Sequence, residues 1–488
     1  MAVAGTASDI GHVRDLLERA GYSEAGIRAA GVDPGLGVRR PDIPVLLRAL
    51  AADEPLASLV KLFLLGQDVD RHETARRLGG DLAHLTRAGL VAERGDRVVP
   101  TVQLTPWRDL IVVHDPDPEG ELWPEHVSGP TPAAETLAAL LVPGAVETAL
   151  DLGTGSGLLA LLLAARARAV LATDVNPVAL RYTELGAGLN GLPNVEVRQG
   201  SLFEPVGGAT FDRILSNPPF VISPDSSLLF RHGGLARDDL SRHVVEGGAN
   251  HLADRGIAAI LCNWIVPREM SWLDAIRPWL DSSGCDAIVL LHGVEDPISY
   301  AVRWNGRAQY VAPVEFPRIL DRWLDYDRRE SIEAIASGAV VLRRRTGRNW
   351  IHGFELDAEP RGSGGQQLVD LLVAVDYLRG ADSSDILRGA FRLEAAHRLE
   401  QTLATRQGEY VVEPATLVLD EGLGTKVIVA PELIPVVLRL DGSQVLDGIV
   451  DEVAAGTGAD RADLATRAIA LVRAMLERGV LHPPPSGS

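Results

Sequence analysis

The chain has 488 residues and a formal net charge of −19 at pH 7, so two or three domains are expected and a general binder of polyanions is disfavoured. Its two cysteines, Cys262 and Cys285, fall in predicted apolar strands without metal-ligand spacing, which predicts buried, reduced thiols rather than a disulfide or metal site. No signal peptide or membrane-spanning run is visible, so the sequence predicts a cytoplasmic protein without a membrane partner.

Residues 1–125 are predicted to form a helical accessory domain. A helix over 56–66 is followed by 70–100, where two more helices precede short strands around a Gly95-Asp96 turn. This order resembles a winged helix, a fold that often binds DNA. The helix over 81–90 carries one arginine and no cluster of base-reading side chains. We therefore favour packing on the rest of the chain, or on a second subunit, over nucleic-acid binding.

A strand, a glycine turn, a helix and a second strand follow one another in the middle of the chain. Gly153, Gly155 and Gly157 remove side chains where the backbone bends tightly and approaches a ligand. The dinucleotide-binding fingerprint needs its third glycine where this chain has Leu158, so nicotinamide and flavin cofactors are disfavoured. Asp174 closes the second strand, where a carboxylate can accept hydrogen bonds from a ribose diol.

A second motif, 211-FDRILSNPPF-220, begins with another predicted buried strand. It delivers Asn217, Pro218, Pro219 and Phe220 to the same edge of the sheet as the glycine turn. Together the two motifs resemble the class I S-adenosylmethionine-dependent methyltransferases, in the branch that methylates a planar nitrogen. Within that branch the chain looks most like the release-factor glutamine methyltransferases and the ribosomal RNA guanine-N2 methyltransferases.

The resemblance implies an α/β fold with a Rossmann-like, seven-stranded methyltransferase domain over 126–346. Strand and helix alternate there, as in a parallel sheet covered on both faces. By resemblance 339–345 is the antiparallel seventh strand, and 293–328 is an inserted cap whose aromatic side chains are assigned to packing. The other predicted strands of this domain are 169–175, 195–199, 211–216, 256–265 and 285–291.

Residues 347–488 are predicted to form a second accessory domain of mixed helices and strands. Its end, 440–483, looks like another small winged-helix unit, for which helical packing is the favoured role. The predicted helices are 366–378 and 384–401, and the predicted strands lie around 410–412, 416–419 and 426–429.

The resemblance further implies S-adenosylmethionine as the cofactor and assigns the site residues. Cofactor binding is assigned to Asp151, Gly153, Thr154, Gly155, Gly157, Asp174, Asn176, Ser201, Leu202 and Asn217. Catalysis is assigned to Asn217, Pro218, Pro219 and Phe220. Substrate contact is assigned to Thr131, Pro132, Phe220 and Arg231. No metal site is predicted.

The Asn-Pro-Pro-Phe motif suits methylation of an amide or exocyclic amine, a weak nucleophile with two N–H groups to be held. The side-chain oxygen of Asn217 can accept one N–H and the backbone carbonyl of Pro218 the other, which favours the charge that develops on nitrogen. Pro219 keeps Pro218 extended, and Phe220 would lie flat against the planar acceptor. No general base is assigned, since the proton can leave to water.

Three functions stay open at the level of the sequence: two enzymes with different methyl acceptors, and a regulator. The acidic balance and the flanking modules favour a protein or peptide with a glutamine-like amide. The phenylalanine of the motif is more typical of the RNA enzymes, which leaves a guanine N2 or adenine N6 amine of RNA or DNA as the alternative. The phosphate contacts would then come from Arg343, Arg344, Arg345 and Arg348. The third alternative is a DNA-binding regulator whose methyltransferase fold senses a ligand. The oligomeric state is left open.

Overall fold

The computed structural model describes residues 6–34, 42–50, 54–116, 122–225 and 235–484. These residues fall into two compact units. The first comprises Met1–Ala138, Gly144–Val289 and Val294–Ile351, and the second comprises Ala139–Pro143, Leu290–Gly293 and His352–Ser488. None of the helices in these ranges is both long and apolar enough to cross a lipid bilayer.

The N-terminal part of the first unit is mostly helical. Its helices are α1 (Ala7–Ala20), α2 (Glu24–Ala29), α3 (Ile43–Ala49), α4 (Pro55–Leu59), a π-helical turn at Val60–Leu64, α5 (Arg71–Leu78) and α6 (Asp81–Arg87). Its strands are β1 (Val69–Asp70), β2 (Val91–Arg94), β3 (Arg97–Pro100), β4 (Gln103–Trp107) and β5 (Leu110–His114). The predicted turn is present, because β2 and β3 pair antiparallel with Arg94 opposite Arg97.

Helix α6 corresponds to the helix over 81–90 that was weighed for DNA binding. Its arginine, Arg87, donates to the carboxylate of Asp9 in α1 at 2.8 Å, and His84 contacts the same oxygen at 2.9 Å. Apolar side chains of this region share one buried core with Tyr182 and Leu185 of the helix Pro177–Leu189. Packing on the rest of the unit is therefore what the structure shows for this region, while its winged-helix character stays a prediction.

Eight strands form a large mixed sheet, most of whose residues belong to the first unit. Its strands are β6 (Val146–Leu152), β7 (Ala167–Asp174), β8 (Val195–Gln199), β9 (Phe211–Ser216), β10 (Leu252–Ile265), β11 (Cys285–Glu295), β12 (Ile335–Arg344) and β13 (Ile351–Glu355). The surrounding helices are α7 (Pro132–Leu140), α8 (Leu158–Ala164), α9 (Pro177–Leu189), α10 (Asp239–Asn250), α11 (Trp272–Leu280), α12 (Pro297–Asn305), α13 (Ala308–Val311) and α14 (Phe316–Arg329), with a 3-10 turn at Glu204–Val206.

The sheet confirms the predicted α/β core. The strand order is β13-β11-β12-β10-β9-β6-β7-β8, and β12 runs antiparallel to β10, as expected for the seventh strand. Seven of these strands, β6 to β12, lie within 126–346, which is the number predicted for that domain, and β13 follows it in the chain. Both cysteines are buried and free, as predicted. Burial raises the pKa of each thiol, so both stay protonated.

The second unit mixes helices with short antiparallel strands. Its helices are α15 (Gly364–Gly380), α16 (Ser383–Arg388), a 3-10 turn at Pro431–Leu433, α17 (Ile434–Val437), α18 (Leu446–Thr457) and α19 (Arg461–Leu476). Its strands are β14 (Arg392–Leu393), β15 (His397–Glu400), β16 (Leu403–Arg406), β17 (Glu409–Val412), β18 (Ala415–Leu419), β19 (Lys426–Val429) and β20 (Leu481–His482).

The predicted helix over 384–401 is wrong beyond Arg388. Helix α16 ends at Arg388, where Gly389 turns to an extended conformation (φ −77°, ψ 139°). The following residues pair instead, β14 with β20 and β15 with β18. Sheet partners more than 15 residues away override the local helical pattern here. The winged-helix assignment of 440–483 stays a prediction.

The arginines proposed as a phosphate patch are largely used within the protein. Arg343 and Arg345 donate to the fully buried carboxylate of Asp286 at 2.6 and 2.9 Å. Arg344 donates to the backbone carbonyls of Ala249 and Ser283. The backbone N–H of residue 350 adds a further bond to Asp286 at 3.2 Å. Three of the four guanidinium groups therefore have protein partners, which argues against the predicted patch.

We expect Asp286→Ala to destabilise the protein by about 3 kcal/mol, because it leaves the partly buried guanidinium groups of Arg343 and Arg345 without their counter-charge. The free energy of unfolding from urea titration measures this change. Asp325→Ala is the matched control, since it removes an exposed ion pair with Arg328 at 2.6 Å and should cost under about 1 kcal/mol. Equal losses in the two variants would contradict the structural role given to Asp286.

Candidate active site

The two sequence motifs meet at one edge of the sheet because β6 and β9 are parallel neighbours in register. Leu152 at the end of β6 pairs with Ser216 at the end of β9. The Ser216 hydroxyl also donates to the Leu152 carbonyl at 2.9 Å, which ties the two strand ends together. The glycine turn after Leu152 and the side chain of Asn217 therefore begin from adjacent points, as the sequence predicted.

The glycine turn has the geometry that only glycine adopts easily. Gly153, Gly155 and Gly157 have φ values of +76°, +56° and +82°. A Cβ atom at Gly157 would lie 2.9 Å from the Cα of Thr183, so this position also needs glycine for close helix packing. A Cβ atom at Gly153 or Gly155 would meet no protein atom within 4 Å. Those two positions thus border open space at the strand end.

Asp151 holds this turn from inside the protein. Its fully buried carboxylate accepts hydrogen bonds from the Thr154 hydroxyl at 2.6 Å and from the Ala160 N–H at 2.9 Å. Its other oxygen has no hydrogen-bond partner among the described residues. Burial raises the pKa of Asp151 to about 7, and the two hydrogen bonds offset part of that rise. Asp151 and Thr154 therefore hold the shape of the turn, and the cofactor contacts assigned to them stay predictions.

Asp174 stands at the end of β7 and faces the same turn. Its two carboxylate oxygens accept from the N–H groups of Gly155 at 3.0 Å and Asn176 at 2.9 Å. Burial raises its pKa, although these backbone bonds act in the opposite direction. Each carboxylate oxygen can accept more than one hydrogen bond, so Asp174 retains capacity for a diol.

Both the oxygen and the NH2 group of the Asn176 side chain form hydrogen bonds within the protein. The side-chain oxygen caps α9 by accepting from the Val178 N–H at 2.9 Å, and the NH2 group donates to the Glu125 carbonyl at 2.8 Å. It thereby ties the segment before α7 to the end of β7. The cofactor contact assigned to it from the sequence stays a prediction.

Ser201 and Leu202 lie in a turn after β8. The Glu204 N–H donates to the Ser201 carbonyl at 3.0 Å, and Leu202 has a φ of +48°. The Ser201 side chain is exposed and Leu202 is half-buried. The neighbouring Phe203 stacks on His251 with ring centroids 4.6 Å apart. The cofactor contacts assigned to Ser201 and Leu202 stay predictions.

The Asn-Pro-Pro-Phe motif forms a rigid turn with a free amide. Within the ranges that the structure describes, the side chain of Asn217 makes no hydrogen bond. The Phe220 N–H donates to the Pro218 carbonyl at 2.7 Å, which closes a three-residue turn centred on Pro219. Proline suits this centre because its ring locks φ near the required value. The Pro218 carbonyl has a second lone pair for another donor.

The inserted segment between β11 and β12 packs directly against this turn. Helix α12 places Trp304 edge-on to Phe220, with ring centroids 6.1 Å apart and planes at 72°. Tyr300 and Trp323 are fully buried against Val221 and Ile222, which follow the motif. Sequence reasoning singled out Trp304, Tyr310, Trp323 and Tyr326 of this segment and assigned them to packing, but it did not single out Tyr300. The sequence did carry a signal for this helix. An Asp-Pro pair begins it, and two aromatic residues spaced four apart follow within it.

The structure describes Thr131 and Pro132, two of the predicted substrate residues, but not Arg231. Thr131 accepts from the Ala134 N–H at 3.2 Å and so caps α7, whose first residue is Pro132. Arg231, together with its neighbour His232, lies outside the described residues.

Comparisons with known proteins agree with this geometry. Residues 131–271 match a family described as "Methyltransferase small domain". This part of the chain is a class I methyltransferase domain. Its cofactor is S-adenosylmethionine. The open space at Gly153 and Gly155 beside Asp174 stays the predicted place for this ligand. Residues 19–101 match a second family, described as a domain of unknown function (DUF7059).

Curated relatives of the methyltransferase domain modify glutamine. A release factor glutamine methyltransferase from Xylella fastidiosa is 34% identical over 162 residues, which cover 30% of this chain and 55% of the relative. A ribosomal protein uL3 glutamine methyltransferase from Bordetella pertussis is 33% identical over 185 residues, covering 33% and 61%. The chain thus spans between half and two thirds of the length of these relatives.

Among solved structures, a T. thermophilus 16S rRNA N2 methyltransferase in complex with AdoMet and guanosine is 17% identical to this chain. The match covers 57% of this chain and 64% of that one, with a TM-score of 0.28.

We expect Gly155→Val to weaken binding of S-adenosylmethionine by about 100-fold or more, roughly 3 kcal/mol, because the new side chain fills the space at the strand end. Isothermal titration calorimetry measures this affinity. Gly207→Val is a matched control, since Gly207 has a φ of +61° and an equally open Cβ position away from the two motifs. Unchanged affinity in Gly155→Val would contradict the predicted place of this ligand.

The raised pKa of Asp151 predicts a pH-dependent stability. The native state holds a proton at Asp151 up to a pH of about 7, whereas the unfolded chain releases it near the ordinary value of 3.8. The contribution of Asp151 to stability is therefore present at low pH and lost as the pH rises to 7, by about 4 kcal/mol at most. Asp151→Asn should remove this dependence while keeping an oxygen for Thr154 and Ala160. Urea titrations of both proteins at pH 5 and pH 7 test this, and parallel pH trends would contradict it.

Proposed function

We propose that this protein transfers the methyl group of S-adenosylmethionine to the side-chain amide nitrogen of a glutamine in a protein. The observation that carries the proposal is the unengaged amide of Asn217, held by strand pairing next to the glycine turn. The names of the curated relatives supply the acceptor, since they act on a release factor and on ribosomal protein uL3.

The turn can accept a hydrogen bond from each of the two N–H groups of a primary amide. S-adenosylmethionine supplies an electrophilic methyl group on a sulfonium sulfur. The Asn217 side-chain oxygen accepts one N–H of the acceptor, and the free lone pair of the Pro218 carbonyl accepts the other. These fixed oxygens stabilise the positive charge that develops on nitrogen, which lowers the barrier to transfer. Phe220 covers the planar face of the amide, and its ring also tolerates a nearby cation.

The cofactor side of the site is proposed from the same geometry. Gly153, Gly155 and Leu202 line the ligand, and Asp174 receives its ribose hydroxyls. Asp151, Thr154 and Gly157 act by shaping the turn. Direct contacts from Asn176, Ser201 and Asn217 remain part of the proposal.

We extend the proposal to domain organisation and location. Residues 126–346 form the catalytic domain, and the accessory domains 1–125 and 347–488 present the protein acceptor. A cytoplasmic reaction fits two free, buried thiols and acceptors that belong to translation.

The acceptor is tested by incubating the full chain with cell extract and cofactor radiolabelled in the methyl group. We expect label that protease releases and nuclease does not, and that mass spectrometry assigns to glutamine in a release factor or ribosomal protein. Label that survives protease but not nuclease would overturn the protein acceptor in favour of a nucleic-acid amine.

We expect Asn217→Ala to lower the labelling rate by about 100-fold or more, because one of the two fixed acceptors is lost. Calorimetric affinity for S-adenosylmethionine should be partly retained, since Asn217 is one of several proposed cofactor contacts. Asn250→Ala, an exposed position at the end of α10, is the control and should label at the wild-type rate. A full labelling rate in Asn217→Ala would refute the catalytic role of the turn.

A further inference from the structure

We propose that helix α12 forms the acceptor side of the active site and that Tyr300 is a positioning residue for the Asn217 to Phe220 turn. This inference rests on the proposed function and adds a residue that neither sequence motif contains.

Two donors from different elements converge on the Tyr300 hydroxyl. The Ile222 N–H donates to the phenol oxygen at 3.0 Å, and the Asn263 side-chain NH2 donates to it at 2.7 Å. All three residues are buried, at 1% exposure each. A buried N–H without an acceptor is costly, so this hydroxyl strongly favours one position for the chain two residues after Phe220.

Asn263 anchors the hydroxyl to the sheet. It lies in β10, three residues beyond Ile260, which pairs with Ser216 at the end of β9. Asn263 therefore sits past the same edge of the sheet from which the Asn217 turn departs. Through Tyr300, the far end of the turn is connected back to the sheet that holds its near end.

A second tether acts on the same loop. The carboxylate of Asp225 accepts from the indole N–H of Trp323 at 2.8 Å and from Arg322 at 2.8 and 3.1 Å. Both donors belong to α14, which packs on α12. The inserted helices thus hold the loop at Ile222 and again at Asp225.

Helix α12 also contacts the motif itself. Trp304 lies one helical turn after Tyr300 and packs against Phe220. The ring proposed to cover the acceptor amide is therefore supported by the same helix that holds Ile222. A small shift of α12 would move Phe220 and the Pro218 carbonyl together, and displacements near 1 Å can cost about 100-fold in rate.

The test is Tyr300→Phe, which removes one oxygen and keeps the ring. We expect the maximal labelling rate with cell extract to fall by about 10- to 100-fold, with an unchanged KM for S-adenosylmethionine. We also expect the Ile222 amide to exchange its hydrogen at least about tenfold faster, at a wild-type melting temperature within a few degrees. Tyr310→Phe is the matched control, since Tyr310 lies in the same insertion and is 83% exposed.

The two measurements separate this inference from the proposed function. If the wild-type protein labels nothing, the proposed function fails, and hydrogen exchange at Ile222 alone decides whether Tyr300 holds the turn. Wild-type exchange and a wild-type rate in Tyr300→Phe would overturn the inference, as would a loss confined to melting temperature. If Tyr300→Phe does not fold, Asp225→Ala removes the second tether and should show the same fall in rate at constant cofactor KM.

Discussion

The parallel pairing of β6 with β9 is the constraint on which the site depends. Because Leu152 and Ser216 share a register, the glycine turn and the Asn217 turn leave the sheet side by side. A slip of one residue would reverse which face each side chain occupies, and the amide of Asn217 would then point away from the glycine turn. The hydroxyl bond from Ser216 to the Leu152 carbonyl adds a local restraint at the strand ends.

Around this edge of the sheet, some polar side chains are hydrogen-bonded within the protein and others keep acceptors that a ligand can use. Asp151 and Asn176 are occupied by protein hydrogen bonds, and they hold the turn and the helix that follow the first two strands. Asp174 is half-buried and shares its oxygens with two backbone N–H groups without exhausting them. Asn217 alone of these four has no side-chain hydrogen bond in the described part of the chain, which suits the substrate contact proposed for it.

The inserted helices connect the loop after Phe220 to the sheet through hydrogen bonds between residues far apart in the chain. Seventy-eight residues separate Ile222 from Tyr300, yet one phenol oxygen satisfies donors from the loop and from β10. Trp304 and Trp323 then fill the space between the helices and the loop. The turn is thereby held at both ends, which is the preorganisation that a weak amide nucleophile requires.

The sequence by itself determined the strands β8 and β9 to the residue, the glycine turn and the Asn-Pro-Pro-Phe turn, because each depends on local apolar runs and on glycine and proline conformations. The family resemblance also predicted β12 as the antiparallel seventh strand of the sheet. The tertiary structure decided what depends on partners that are distant in the chain. It decided which strands replace the predicted helix beyond Arg388 and that the sheet has an eighth strand. It also decided that Arg343 and Arg345 form ion pairs with Asp286. It also decided that Tyr300 meets Ile222. Local patterns carry no information on which residues, far apart in the chain, share a buried hydrogen bond, since that choice is made by packing.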